Sequence, residues 1–149
     1  MSASIDFPKP SRTAVPLPLP VPLPMPPAAA VELLKQAREG IAEAERETDP
    51  AQRFAIAYLA ALRAAAAVLA LRGRPHRGPA KPMSVWVLLT SIAPELKDWA
   101  AFFASASATR AAVQAGITRF VTARAADDLV RQAGHFTHLI DKVMYEARL

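Results

Sequence analysis

The segment 73–82 contains the residues of this chain whose chemistry is easiest to name. Two glycines and three prolines exclude a regular helix or strand there. Basic side chains on such a loop bind phosphate oxygens, so the segment predicts contacts with RNA or DNA. No aromatic side chain lies among them for base stacking. The alternative is a connecting loop whose charges stabilise the negative C-terminal end of the preceding helix. The candidate phosphate-binding residues are Arg74, His76, Arg77 and Lys81.

A second group of polar side chains lies on the last predicted helix. At roughly 100° per residue, Arg131 and His138 fall on the same face, opposite the apolar seam of that helix. One exposed helix face holds no pocket, so a site built on these two residues requires a second subunit. The alternative is a solvated polar face of the kind that every helix in a bundle presents.

The composition excludes several kinds of site. The chain contains no cysteine, which excludes disulfides, Cys-ligated zinc, iron–sulfur clusters and thiol catalysis. Its three histidines have no HxxxH spacing, and no Gly-rich phosphate loop or nucleophile motif is present. We therefore predict no metal and no cofactor.

The elements that must position these residues are helices. Residues 55–71 contain a single charge, Arg63, and no proline or glycine, and the stretch is apolar on nearly every side. Such a helix must be wrapped by other helices or by a second copy of the protein. Arg63 must reach solvent along its aliphatic stem or pair with a carboxylate. The candidate partners are Glu39, Glu43, Glu95 and Asp98.

Cap and turn residues divide the rest of the chain into further helices. Asp49 is placed to cap a helix that has Pro50 at its first position, and Thr122 can cap the last helix. Because no alternating strand pattern occurs, the sequence predicts an all-α, four- to five-helix up-and-down bundle. The predicted helices cover about 28–47, 50–72, 84–116 with an interruption at Pro94, and 122–147.

The first 27 residues differ from the rest in composition. They contain nine of the fourteen prolines, and residues 15–27 have the sequence VPLPLPVPLPMPP. Proline at this density excludes a helix and favours polyproline II. We predict a disordered, Pro-rich tail over residues 1–27, which is either a spacer or a segment that docks on a partner protein. Residues 28–149 form the predicted helical domain.

The net charge of +5 is unevenly distributed, because segment 73–82 alone carries three of these charges. A basic loop, rather than a basic surface over the whole molecule, is therefore expected. The apolar helix has an arginine at its centre, where a charge in a bilayer is most costly, so no membrane span is predicted. We predict a cytoplasmic protein.

The predicted helices resemble a bacterial family of small proteins classed with the HEPN (higher eukaryote and prokaryote nucleotide-binding) domains. The resemblance covers about residues 28–147 and leaves out the Pro-rich tail. It implies a HEPN-like bundle of four or five helices that forms a homodimer. The residues that carry it are Leu33, Leu34, 37–40, 58–65, 86–89, 93–96, Trp99, Thr122 and 126–129.

The resemblance also implies a possible catalytic pair. Many HEPN proteins are ribonucleases in which four to six residues separate an arginine from a following histidine, and Arg131 and His138, with six residues between them, fit that spacing. In such a dimer the histidine would act as general base on a ribose 2′-hydroxyl, and the arginine would stabilise the phosphorane charge.

Three functions are therefore consistent with the sequence. The first is a HEPN-like, non-catalytic binding module associated with nucleic acid. The second is a protein–protein interaction module that docks a partner through the bundle or through the Pro-rich tail. The third is a metal-independent ribonuclease that uses Arg131 and His138 across a dimer. We favour binding over catalysis, because an arginine and a histidine at this spacing on a helix are common by chance.

Overall fold

The computed structural model describes residues 25–73 and 84–146. These residues form five α-helices and no strand, which confirms the predicted all-α bundle. The Pro-rich tail before Met25 and most of the basic loop lie outside the described residues. The helices are α1 (Ala28–Arg46), α2 (Pro50–Arg72), α3 (Val85–Ile92), α4 (Lys97–Gln114), which follows a single 3₁₀ turn (Pro94–Leu96), and α5 (Ala123–Glu146).

Three side-chain caps fix where helices begin. The Asp49 carboxylate accepts a hydrogen bond from the backbone N–H of Gln52 at 3.0 Å, with Pro50 at the first helical position of α2. The Thr122 hydroxyl accepts from the backbone N–H of Ala125 at 3.0 Å and starts α5. The Ser84 hydroxyl caps α3 in the same way. Each cap satisfies a donor that the first turn leaves unpaired, so these boundaries follow from local sequence.

Helix α2 lies at the centre of the bundle and contacts each of the other four helices. Eleven of its 23 residues are buried, and seven of these are alanine, so its neighbours approach closely. A Cβ atom added at Gly40 of α1 would lie only 3.1 Å from the Cβ of Ala60 in α2. By length and hydropathy alone α2 could cross a membrane, but 56% of its apolar 18-residue window is buried inside the bundle. The predicted wrapping of this helix by its neighbours is confirmed.

An aromatic cluster holds the short helix α3 against α2, α4 and α5. Trp86 stacks on Phe103 with ring centroids 5.2 Å apart, and Phe136 of α5 lies 5.2 Å from Phe103. The indole Nε1–H of Trp86 donates a hydrogen bond of 2.8 Å to the buried hydroxyl of Tyr58 in α2. Tyr58, Trp86, Phe103 and Phe136 are therefore part of the buried core.

Candidate binding groove

An apolar groove runs between α1 and the C-terminal half of α5. Its wider section has a volume of about 710 Å³. Its walls include three of the seven large hydrophobic side chains that are exposed within the described residues: Met25, Val31 and Tyr145, at 68%, 47% and 60% exposure. The buried side chains of Leu34 and Met144 also line it. Exposed apolar groups in a concave surface mark a site that contacts another molecule or segment.

The middle of the groove is crossed by an ion pair. The Arg38 guanidinium of α1 lies 3.1 Å from the Asp141 carboxylate of α5, and both side chains are half exposed. A second, narrower section of about 160 Å³ has the same two residues in its wall, together with Ile41, Gly134, Thr137 and His138. The two sections therefore form one continuous feature, which we call the α1–α5 groove.

The narrow section contains an unsatisfied polar atom. Thr137 is 3% exposed, and its hydroxyl has no hydrogen-bond partner in the part of the chain that the structure describes. The oxygen of this hydroxyl is itself inaccessible, so its unpaired state is a cost of packing within the bundle and not a contact point for a ligand. His138, on the next position of α5, is exposed at the rim.

The proposed catalytic residues are placed apart. Seven residues along a helix correspond to about 10 Å, so Arg131 and His138 lie two turns from each other on α5. Arg131 donates to the Asp128 carboxylate at 2.7 Å, whereas His138 lies beside the Arg38–Asp141 pair. One chain alone does not bring the two side chains together, and their catalytic role stays a prediction.

The predicted phosphate-binding residues Arg74, His76, Arg77 and Lys81 lie outside the described residues. The charge around them can still be assessed, because the described residues contain twelve Lys and Arg and twelve Asp and Glu. The entire net charge of +5 therefore belongs to the loop, the Pro-rich tail and the last three residues.

An ion pair joins the end of α2, where the loop begins, to the turn before α4. Arg72, the last residue of α2, lies 2.6 Å from the Glu95 carboxylate in the turn before α4. The hydrogen bond from Arg72 lowers the pKa of Glu95 below its ordinary value. Of the two alternatives for Arg63, pairing with a carboxylate is not the one that the described residues show. Its side chain lies on the half-buried side of α2, and no Asp or Glu among the described residues contacts it.

A second apolar surface lies on the opposite side of the molecule, between α3 and α4. A shallow depression of about 480 Å³ there is lined mainly by small or apolar side chains, including Val87, Thr90, Ala101 and Ala104. Lys97 is the one charged residue in this lining. We call this surface the α3–α4 face.

Sequence reasoning missed the α1–α5 groove, although one signal was present. Arg38 occurs on the apolar side of α1 together with Val31, Leu34 and Ile41. A charged residue on an otherwise apolar side indicates an ion pair or a ligand there. Its partner Asp141 lies 103 positions away, and periodicity alone does not assign that partner. No cluster of three metal-ligating side chains occurs among residues 25–73 and 84–146.

The protein family whose model matches this chain is consistent with the helical fold described above. The model of HEPN_SAV_6107-like HEPN domains matches residues 44–141, which include α2 to α4 and most of α5. No curated protein and no solved structure matches the chain. The family match covers about two thirds of the sequence and confirms the HEPN-like resemblance. The chain belongs to the HEPN_SAV_6107-like HEPN family.

Proposed function

We propose that this protein is a non-catalytic HEPN-like binding module that takes an extended polypeptide in the α1–α5 groove. The observation that carries the proposal is the concentration of exposed apolar side chains in that one concave surface. Met25, Val31 and Tyr145 together leave a large apolar area in contact with water. Covering apolar surface contributes about 25 cal/mol per Å², so a segment laid along the groove would be stabilised mainly by these contacts.

The polar groups of the groove favour a polypeptide as its ligand. An extended segment has backbone carbonyl groups that require donors when it is buried. The groove offers donors along its length in the Tyr145 hydroxyl, the Lys142 ammonium and the Arg38 guanidinium. Aromatic and apolar walls with a few donors are the pattern that recognises extended and Pro-rich segments.

The position of the arginine and histidine supports binding rather than catalysis. Arg131 is held by Asp128, which itself lies 3.9 Å from Arg124. Asp127, one turn before Arg131, forms an ion pair with Arg53 of α2. A ribonuclease would need Arg131 released from its carboxylate and a second chain to complete the site.

The proposal is tested with full-length protein and a pair of matched valine substitutions. Val31 lines the α1–α5 groove at 47% exposure, and Val87 lies on the α3–α4 face at 53% exposure. Twelve-residue peptides selected from a random phage-displayed library on the wild-type protein are measured against both variants. We expect Val31→Asp to weaken binding at least about tenfold, equivalent to about 1.4 kcal/mol, and Val87→Asp to leave it unchanged.

The opposite result would place the binding surface elsewhere. If Val87→Asp abolishes peptide binding and Val31→Asp does not, the α3–α4 face is the docking surface and the proposal fails. It also fails if the library yields no peptide that binds either the wild-type protein or a full-length variant with Leu19→Ser and Leu23→Ser in the Pro-rich tail.

Nucleic-acid association through loop 73–82 is a second candidate, favoured by the distribution of charge. The described bundle has no net charge, so any phosphate backbone must be attracted mainly by residues outside it. Three basic residues that neutralise three phosphates of single-stranded RNA would give a slope of log affinity against log salt of about −2. Replacing Arg74, Arg77 and Lys81 by alanine should remove most of that slope. Replacing Arg124, whose side chain is 91% exposed on α5, should change it little.

A homodimer is part of the same proposal, and the α3–α4 face is the surface we assign to the second copy. That face has Lys97 as its one charged residue and exposes Val87. Sedimentation of full-length Val87→Asp protein at several concentrations tests it. A dimer in the wild type and a monomer in the variant are expected, and an unchanged dimer would contradict this assignment.

A further inference from the structure

We infer that the polypeptide that occupies the α1–α5 groove is the protein's own Pro-rich segment, residues 17–24, bound within the same chain. The inference rests on the proposed function, because it names the occupant of the groove proposed above. If correct, the groove is filled in the isolated protein, and any other polypeptide must displace this segment to bind.

The first argument is where the described chain begins. Met25 and Pro26 already line the wide section of the groove, beside Val31 and Tyr145. The preceding residues are therefore attached to the groove itself. A segment that continues along it, antiparallel to α1, passes the Arg38–Asp141 pair and reaches the narrow section.

The second argument is length. Val31 and Ile41, at opposite ends of the groove wall in α1, are ten residues apart on a helix, which corresponds to about 15 Å. A polyproline II segment rises about 3.1 Å per residue, so five residues span that distance. Residues 17–24 are long enough to fill the groove. Counted back from Met25, the segment is level with Ile41 near Pro20.

The third argument is chemical complementarity. In residues 17–24 each Leu or Val is followed by a proline, which has no backbone N–H, so the segment has more carbonyl acceptors than N–H donors. The groove lining offers donors for these carbonyl groups in the Arg38 guanidinium and the Lys142 ammonium. Of the segment's apolar side chains, Val21 and Leu23 lie within the span between Val31 and Ile41, and Leu19 lies at its end.

The attachment also favours the chain's own segment over a free peptide. A site and its ligand joined by a few residues experience an effective concentration in the millimolar range. A partner polypeptide at micromolar concentration competes only if its intrinsic affinity is far higher. Polyproline II moreover loses less conformational entropy on binding than a flexible segment.

Paramagnetic relaxation in the full-length protein tests the inference. Because the chain has no cysteine, Pro20→Cys places a single spin label in the segment and leaves every Leu and Val of it unchanged. We expect a loss of amide signal intensity at residues 38–41 and 134–141, which surround the narrow section. Residues 115–119 in the turn after α4, which contribute nothing to the groove lining, should keep more of their intensity.

A substitution outside both apolar surfaces serves as control. Adding Val31→Asp to the labelled protein should restore the signals at residues 134–141, and adding Ile117→Asp, at a residue that is 43% exposed after α4, should not. Uniform signal loss, or loss confined to the residues next to Met25, would overturn the inference. A mixture of spin-labelled unenriched protein and unlabelled ¹⁵N protein should show no signal loss at residues 38–41 and 134–141. Loss at these residues in the mixture would mean that the segment binds a second copy, which also overturns it.

The phage-peptide measurement separates this inference from the proposed function. With Leu19→Ser and Leu23→Ser in the segment, peptides that bind the groove should bind more tightly, because their competitor is weakened. If peptides bind the groove of the wild-type protein and of the Leu19→Ser, Leu23→Ser variant with equal affinity, the groove binds polypeptides but not this segment. If no peptide depends on Val31, the proposed function fails independently of the spin-label result.

Discussion

The hydrogen bond between Trp86 and Tyr58 gives a prediction whose magnitude can be worked out. Both residues are 4% exposed, and the bond of 2.8 Å joins α3 to the central helix α2. Tyr58→Phe keeps the ring, so the stack of the Arg110 guanidinium on it at 5.4 Å is retained. The substitution removes the Tyr58 hydroxyl that accepts the hydrogen bond. The indole N–H of Trp86 is then left buried and unpaired. An unpaired buried donor costs about 1–3 kcal/mol, and we expect a loss of about 1.5 kcal/mol in the free energy of unfolding.

Urea denaturation followed by tryptophan fluorescence measures this loss. With an m-value of about 2 kcal/mol per M, a change of about 1.5 kcal/mol lowers the midpoint by about 0.7 M. The only other tyrosine, Tyr145, is 60% exposed on the groove wall and provides the matched control. Tyr145→Phe should shift the midpoint by less than about 0.2 M, since surface substitutions usually stay within about 0.5 kcal/mol.

A double-mutant cycle identifies the partner. In a Trp86→Phe background the N–H is absent, so Tyr58→Phe should cost much less than it does in the wild type. Equal costs in both backgrounds, or a Tyr58→Phe protein as stable as the wild type, would refute the argument that this one hydrogen bond fastens α3 to α2.

Three further predictions concern other parts of the bundle. Arg72→Gln should raise the pKa of Glu95 in an NMR titration. Because the pKa of Glu95 is lowered in the folded protein, this pair stabilises the fold above the ordinary glutamate pKa and loses that effect as the pH falls through the lowered value. Gly40→Ala gains about 1 kcal/mol of helix propensity, but it places a Cβ atom 3.1 Å from the Cβ of Ala60. We therefore expect the substitution to lower the thermal unfolding temperature. In an Ala60→Gly background, where that contact is absent, the same substitution should raise it. His138→Ala should leave RNA hydrolysis by the full-length protein at the wild-type level, and a clear loss would contradict a non-catalytic role.

Local features were predictable from sequence because their causes lie within a few residues. The caps Asp49 and Thr122 each satisfy a donor three residues away, and the break at Pro94 follows from its missing N–H. The apolar character of α2 required a central position, which the structure has. These inferences needed no knowledge of which helix packs against which.

Features that depend on the packing of distant helices were not predictable. Periodicity placed His138 on an outward face, and it is exposed, but only the position of α1 puts it beside Arg38 and Asp141. Glu95 was a candidate partner for Arg63, but Arg72 is the residue that reaches it. Interhelical ion pairs depend on crossing angle and rotation, which vary by tens of degrees at little energetic cost.

The alanines of α2 affect how this protein tolerates mutation. Ala57, Ala61, Ala64, Ala65 and Ala67 are completely inaccessible, and each has only a methyl group to lose. Truncation, which creates large voids in cores built from leucine, leaves almost no void at such positions. Enlargement is different, because a valine in any of these places must push two helices apart. Random substitution in this helix should therefore show an asymmetry, with glycine and serine recovered more often than any bulkier residue.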